Sequence, residues 1–240
     1  TEIMSNSLTK ESYYEGLTSY PAARCVRILN PLSADLNVMR QTLLFNTMEA
    51  VQLNANRRNG NLRLYEFGNC YFYDEAARDA EKPLSAYSEQ YRLAIAVTGA
   101  AVPQSWNAKP QASSFFTLRA VAEKLLRRFG LDIYALKCEP LQSDLFGDGI
   151  SLSAGNGREL LQMGVVAPRI RRAFDLKQEV YYLEMNFDAL VKSTRKHRIA
   201  FEELSKFPEV KRDLALLVDR QVTFAQLRAI ALATERKVLK

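Results

Sequence analysis

Apolar residues recur with two periods along this chain, and the changes of period mark its elements. Leu44, Met48, Val51 and Ala55 stand at i, i+4, i+7 and i+11, one face of a helix predicted over Val38–Arg58 and broken at Asn59-Gly60. Leu62–Tyr73 reads as a long strand whose alternation slips near Gly68, which predicts a bulge or close packing there. "YRLAIAVTG" (91–99) and "EVYYLEMNF" (179–187) read as further strands, and the Tyr181/Tyr182 pair and Phe187 as sheet packing. A second helix is predicted over Phe115–Phe129, closed by Gly130, with Val121, Leu125, Leu126 and Phe129 as its buried stripe. "GDG" (147–149) and "GNG" (155–157) read as hairpin turns between three short strands, and Pro168 opens a short helix through Phe174. Near the start, short strands at 2–8 and 25–30 flank a helical turn capped by Thr9 and ended by Gly16.

Strands and helices do not alternate regularly, which disfavours a doubly wound parallel sheet. The order predicts an α+β fold with a large antiparallel sheet. A break falls after residue 194. "STRKHR" reads as a linker, spanning about 195–206. "FPEVKRDLALLVD" then predicts a strand with Leu214, Leu216 and Val218 on one face, and Thr223 with Gln226 forms a capping box for a helix. One strand and one helix cannot bury a core, so residues 207–240 read as the truncated start of a second domain. The chain opens at a strand with no methionine and no charged-then-apolar leader, which suggests a piece of something longer.

Composition narrows the chemistry. With 48% hydrophobic and 25% charged residues the chain is globular, and no apolar run reaches about 18 residues, so no membrane span is expected. Cys25, Cys70 and Cys138 are far apart and form no CxxC, which predicts free thiols and no zinc site. The single histidine, His197, lies in a polar basic stretch with no nucleophile motif beside it. The glycine turns lack the phosphate-binding patterns, and Asp74/Glu75 and Glu202/Glu203 are adjacent, so they diverge on a strand; no catalytic, cofactor or metal residue is assigned. The net charge of +6 is uneven. Residues 195–240 hold 11 Lys/Arg against 6 Asp/Glu, while residues 1–194 are nearly neutral. A localised basic excess is a footprint of polyanion contact, or an ordinary solvated surface.

Five stretches in order add a resemblance. "ILNPLSADLNVMRQTLL" (28–44), "NANRR" (54–58), "LRLYEFGNCYF" (62–72), "MGVVAPRIRRAFDLKQEVYYLEMNFDAL" (163–190) and "FPEVKRDLALLVD" (207–219) together resemble the C-terminal part of the β subunit of bacterial phenylalanyl-tRNA synthetase. The resemblance covers nearly the whole chain. It implies a class II synthetase-like module over residues 1–194, an antiparallel sheet flanked by helices. It implies that residues 207–240 begin a ferredoxin-like anticodon-binding domain. In active members of that fold the strand equivalent to Arg63–Phe72 ends in an arginine that grips the α-phosphate of ATP. Here it ends in Tyr71, Phe72 and Tyr73. A second arginine motif, expected near 163–175, lacks its glycine pattern in "MGVVAPRIRRAF". "LLFNTM" (43–48) and "LFGDG" (145–149) also depart from the family, at positions that carry no catalytic residue.

The resemblance therefore implies a retained fold with a lost active site. The chain would scaffold a catalytic α subunit in a cytoplasmic α2β2 heterotetramer that joins phenylalanine to tRNA, with ATP and magnesium bound elsewhere in that complex. Lys206, Lys211, Arg212 and Arg220 would be phosphate contacts to tRNA, or else domain surface and linker packing. Two alternatives stand beside this reading: a stand-alone synthetase-like enzyme that binds a nucleotide, and a general nucleic-acid-binding module.

Overall fold

A computed structural model describes residues 1–195, 201, 203, 206–208, 210–235 and 239. The chain divides into two units, Thr1–Ile199 and Ala200–Lys240. His197, Glu202 and most of the expected linker lie outside the described residues.

The first unit is built on one six-stranded, fully antiparallel sheet. In chain order its elements are β1 (Leu8–Thr9), β2 (Val26–Arg27), β3 (Val38–Met39), α1 (Leu44–Asn56), β4 (Leu62–Tyr73), β5 (Tyr87–Thr98), β6 (Ala100–Val102), β7 (Gln111–Ala112), α2 (Phe115–Arg128), β8 (Lys137–Pro140), β9 (Phe146–Ser153), β10 (Glu159–Val166), α3 (Pro168–Ala173), β11 (Val180–Asn186) and α4 (Phe187–Thr194). The large sheet runs β4-β5-β11-β10-β9-β8; β1-β3-β2 and β6-β7 form two small ones. Residues alternate between its faces, and each face buries a separate core. Leu64, Cys70, Ala94, Ala96, Val166 and Tyr182 pack with Leu44, Met48 and Val51 of α1 and Ile170 of α3. Leu93, Val97, Leu161, Met163, Leu183 and Met185 pack with Leu118, Ala122 and Leu126 of α2 and Leu190 of α4. Helices thus cover both faces of an antiparallel sheet, the α+β arrangement the pattern predicts.

Several elements differ from the sequence reading, for local reasons. The long helix begins at Leu44, not Val38. Residues 38–43 spend their backbone groups elsewhere: β3 pairs with β1 and β2, and the amides of Arg40, Gln41 and Leu43 donate to Ser7 O, Tyr14 Oη and Glu184 Oε2. Its C-terminal end is turned by Arg58, which takes a φ of 62° ahead of Gly60. Strand β4 has the predicted bounds and no bulge; its register with β5 is unbroken from Leu62↔Thr98 to Tyr73↔Tyr87. Close packing explains Gly68, where a Cβ would lie 2.1 Å from Arg40 Nη2. Lys10, not Thr9, precedes the first helical turn, and it makes no side-chain cap.

Of the predicted stripe on α2, Leu126 is buried and Leu125 and Phe129 are half-buried against the core, while Val121 is exposed; the fully buried line is Leu118, Ala122 and Leu126, because the apolar residues of this helix span more than one face. "GNG" turns the β9–β10 hairpin, with Gly157 at φ 77°. "GDG" instead lies inside β9. There Gly149 pairs with Gly164, and a Cβ on Gly164 would stand 2.2 Å from Asp148 O. Helix α4 was not expected; it ends at Thr194, the last residue of the predicted module, and Asn186 caps it through Ala189 N at 2.9 Å.

In the second unit the expected capping box is present: Gln226 N donates to Thr223 Oγ1 at 3.4 Å, and Thr223 N to Gln226 Oε1 at 2.8 Å. It opens α5 (Phe224–Thr234). Residues 211–219 form no strand: no ladder partner exists for them among the described residues. Among the described residues no helix is long and apolar enough to cross a membrane.

The fold also sorts the thiols. Cys25 and Cys70 are buried and Cys138 is exposed on β8. Burial raises the pKa of both inner thiols, which starves them of reactive thiolate. Ellman's reagent at neutral pH is expected to titrate one thiol in the native chain and three in denaturant; three fast thiols in the native chain would contradict this burial.

Candidate functional site

Helices α1 and α3 pack on one sheet face. On that face, Phe72 of β4, Gln90 and Arg92 of β5, Gln162 of β10 and Glu184 of β11 project side by side, because each holds the inward phase of its strand. The segment before α1 adds Ser19, Tyr20, Arg24 and Gln41. Together these residues, Glu184 excepted, wall a cleft of about 250 Å³. It continues into a second cavity of about 240 Å³, bordered by Glu159 and Glu184, with Tyr20, Gln90, Arg92 and Gln162 common to both.

Glu184 organises the floor. Its Oε2 accepts from Thr42 Oγ1 at 2.5 Å, Leu43 N at 3.1 Å and Tyr182 Oη at 2.5 Å, and its Oε1 accepts from Arg92 Nη1. Arg92 also donates to Tyr20 Oη and, through Nε and Nη2, to Gln90 Oε1. Burial opposes the charge on Arg92, but Tyr20 and Glu184 outweigh it and hold the guanidinium firmly protonated. Burial, reinforced by Glu184, drives the Tyr182 hydroxyl pKa well up, so it remains a donor. Phe72 is almost wholly buried where β4 enters the cleft. The guanidiniums of Arg92 and Arg24 lie over its ring, 5.3 and 5.7 Å from the centroid.

At the end of β4 the cleft presents the ring of Phe72, and Arg92, the cation nearest to it on the sheet, is paired with its own carboxylate. Among the described residues no three His, Cys, Asp or Glu side chains cluster to hold a metal ion. The residues do not fit a magnesium–ATP complex.

Lys206, Lys211, Arg212 and Arg220, the candidate phosphate contacts, are all exposed in the second unit. Among the described residues no hydrogen bond or ion pair joins them to one another. Sequence reasoning missed Arg24, Arg92 and Glu184. Arg92 and Glu184 carried a signal, since each is a charge set within a strongly apolar strand; Arg24 carried none.

The fold is that of an aminoacyl-tRNA synthetase. Pyrrolysyl-tRNA synthetase from Desulfitobacterium hafniense superimposes with a TM-score of 0.56 at 14% identity, over 80% of this chain and 61% of that one. Residues 1–187 match the family model described as the phenylalanyl-tRNA synthetase beta chain CLM domain, and the chain belongs to that family. The phenylalanine–tRNA ligase beta subunits of Bacteroides thetaiotaomicron and Porphyromonas gingivalis are 47% and 40% identical over the whole of it. The chain spans 29% of the length of each of these relatives.

Proposed function

We propose that this chain is a structural, non-catalytic part of a phenylalanine–tRNA ligase beta subunit that scaffolds a catalytic α subunit. One observation carries the non-catalytic reading: Phe72 stands where the fold would need a free arginine, and Arg92 is tied to Glu184. In this reading the parent complex is a cytoplasmic α2β2 heterotetramer, and ATP and magnesium bind in the α subunit. The second unit begins a ferredoxin-like anticodon-binding domain, with Lys206, Lys211, Arg212 and Arg220 as tRNA phosphate contacts. Their exposure and the basic excess of residues 195–240 support that part of the reading.

The test is co-purification of the 240-residue chain with the α subunit of the same organism, followed by light scattering, with ATP titrated into the chain alone. The expected result is a stable complex, Kd about 1 µM or tighter, and no saturable ATP binding. Saturable ATP binding would restore the enzyme reading; absence of any complex would overturn scaffolding by this module. The basic tail also favours a second reading, a nucleic-acid-binding module, which requires the chain alone to bind tRNA tightly with strong salt dependence.

A further inference from the structure

The charges of the open cleft are not all internally satisfied. Arg92 and Glu184 neutralise one another. Arg24 and Glu159 have no oppositely charged partner within ion-pair distance among the described residues. Arg24 lines the first cavity and not the second, and Glu159 the second and not the first. Tyr20, Gln90, Arg92 and Gln162 lie along both.

The guanidinium of Arg24 lies over the face of Phe72 and meets no carboxylate among the described residues. That leaves its planar fork of donors for a carboxylate. The carboxylate of Glu159 accepts from Ser151 Oγ at 2.8 Å and from Gln162 Nε2 at 3.0 Å, and these hold it in place without neutralising it. Apart from Phe72, Leu160 and the Arg92–Glu184 pair, the remaining walls of the two cavities are amides and hydroxyls. Beneath them Gln41 is fully buried, and its Oε1 has no hydrogen-bond partner. Native interiors rarely leave such an acceptor empty.

We propose that this cleft binds a small polar zwitterion of dipeptide length, its carboxylate at Arg24 and its ammonium group at Glu159. Because the two charged ends belong to different cavities, the ligand's charges sit on separate residues and not on one α-carbon. The amide-rich middle favours a polar backbone or side chain. An aromatic or aliphatic side chain would desolvate Gln90 and Gln162 without replacing their hydrogen bonds. This is a binding site without chemistry, and it stands whether or not the module scaffolds an α subunit.

Titration calorimetry of the 240-residue chain with glycyl-L-glutamine tests it, with N-acetyl-glycyl-L-glutamine and L-phenylalanine as companion probes. Saturable binding of glycyl-L-glutamine is expected with Kd about 1 mM or tighter. Arg24→Gln and Glu159→Gln should each weaken it about tenfold, the worth of one charge-assisted contact. Both residues are exposed, and unchanged melting temperatures check that the variants fold. The acetylated probe, which has no ammonium group, should bind about tenfold more weakly and be indifferent to Glu159→Gln. Absence of saturable glycyl-L-glutamine binding overturns the proposal. So does binding that neither substitution weakens, or equal binding of L-phenylalanine.

Discussion

Replacing Glu66 with alanine is expected to destabilise the first unit by about 3–5 kcal/mol, the penalty for leaving a buried charge alone. Arg40 and Glu66 form an ion pair at 2.7 Å, with side chains only 3% and 2% exposed. Glu66 has further donors: Ser5 Oγ reaches both its oxygens, at 2.7 and 2.8 Å, and Ser5 N reaches one. Arg40 is fixed by Asn69 O at 3.0 Å and lies over the bare Gly68. Removing the carboxylate strands a buried guanidinium away from water. The network ties the N-terminal segment and the residues before α1 to β4, so its loss should loosen both. Urea unfolding followed by far-UV circular dichroism measures it; Trp106, the single tryptophan, is 96% exposed and a poor reporter. A shift below about 1 kcal/mol would show that Arg40 finds water and that the pair is not buried in solution. Replacing both partners at once, Arg40→Met with Glu66→Leu, should recover most of the loss, because no charge is then left unpaired.

These buried pairs also explain what the sequence reveals of the fold. Long elements with a clean period were legible. Strand β4 has its predicted bounds, and α2 and the strand at 180–186 differ by one or two residues at their ends. Period records burial on one face, as on β4 and α2, while the strand at 180–186 is a continuous apolar run buried on both faces. Residues 38–43 were misread because their apolar spacing is helical while their backbone partners are far away in sequence: Ser7, Tyr14 and Glu184. No local signal encodes a carboxylate 141 residues away. "GDG" was misread as a turn because a close approach of two strands calls for glycine as strongly as a turn does; the pairing of Gly149 with Gly164 decides it. The site was half legible. The aromatic end of β4 was legible in the sequence, but the neighbours of the Phe72 ring, Arg24 and Arg92, come from segments 48 residues earlier and 20 later. A lone Glu in "VYYLEMNF" could have pointed to a buried cation, since such a residue stays in a sheet core only with a partner.

Glu184→Ala is the second large effect, about 3–5 kcal/mol, and it reports on the cleft as well as on stability. The substitution removes the acceptor of four donors at once: Thr42 Oγ1, Leu43 N, Tyr182 Oη and Arg92 Nη1. Thr42 and Leu43 stand at the entry of α1, so that helix loses the bond that anchors its first turn to β11. Tyr182 keeps its ring in the core but loses its partner, and an unpaired buried hydroxyl alone costs about 1–3 kcal/mol. Arg92 is 14% exposed at its side chain and retains Tyr20 and Gln90, so its share of the loss is smaller than that of Arg40 in the other network. The comparison variants separate the parts. Tyr182→Phe should cost about 1 kcal/mol, as one hydrogen bond. Glu184→Gln keeps an acceptor for Tyr182 and Thr42 but no charge for Arg92, and should fall between the two. If Glu184→Gln proved as damaging as Glu184→Ala, the carboxylate's charge would be what holds the site. If Glu184→Ala cost no more than Tyr182→Phe, the hub would be a set of independent weak contacts, and the claim that Glu184 immobilises Arg92 over Phe72 would fail.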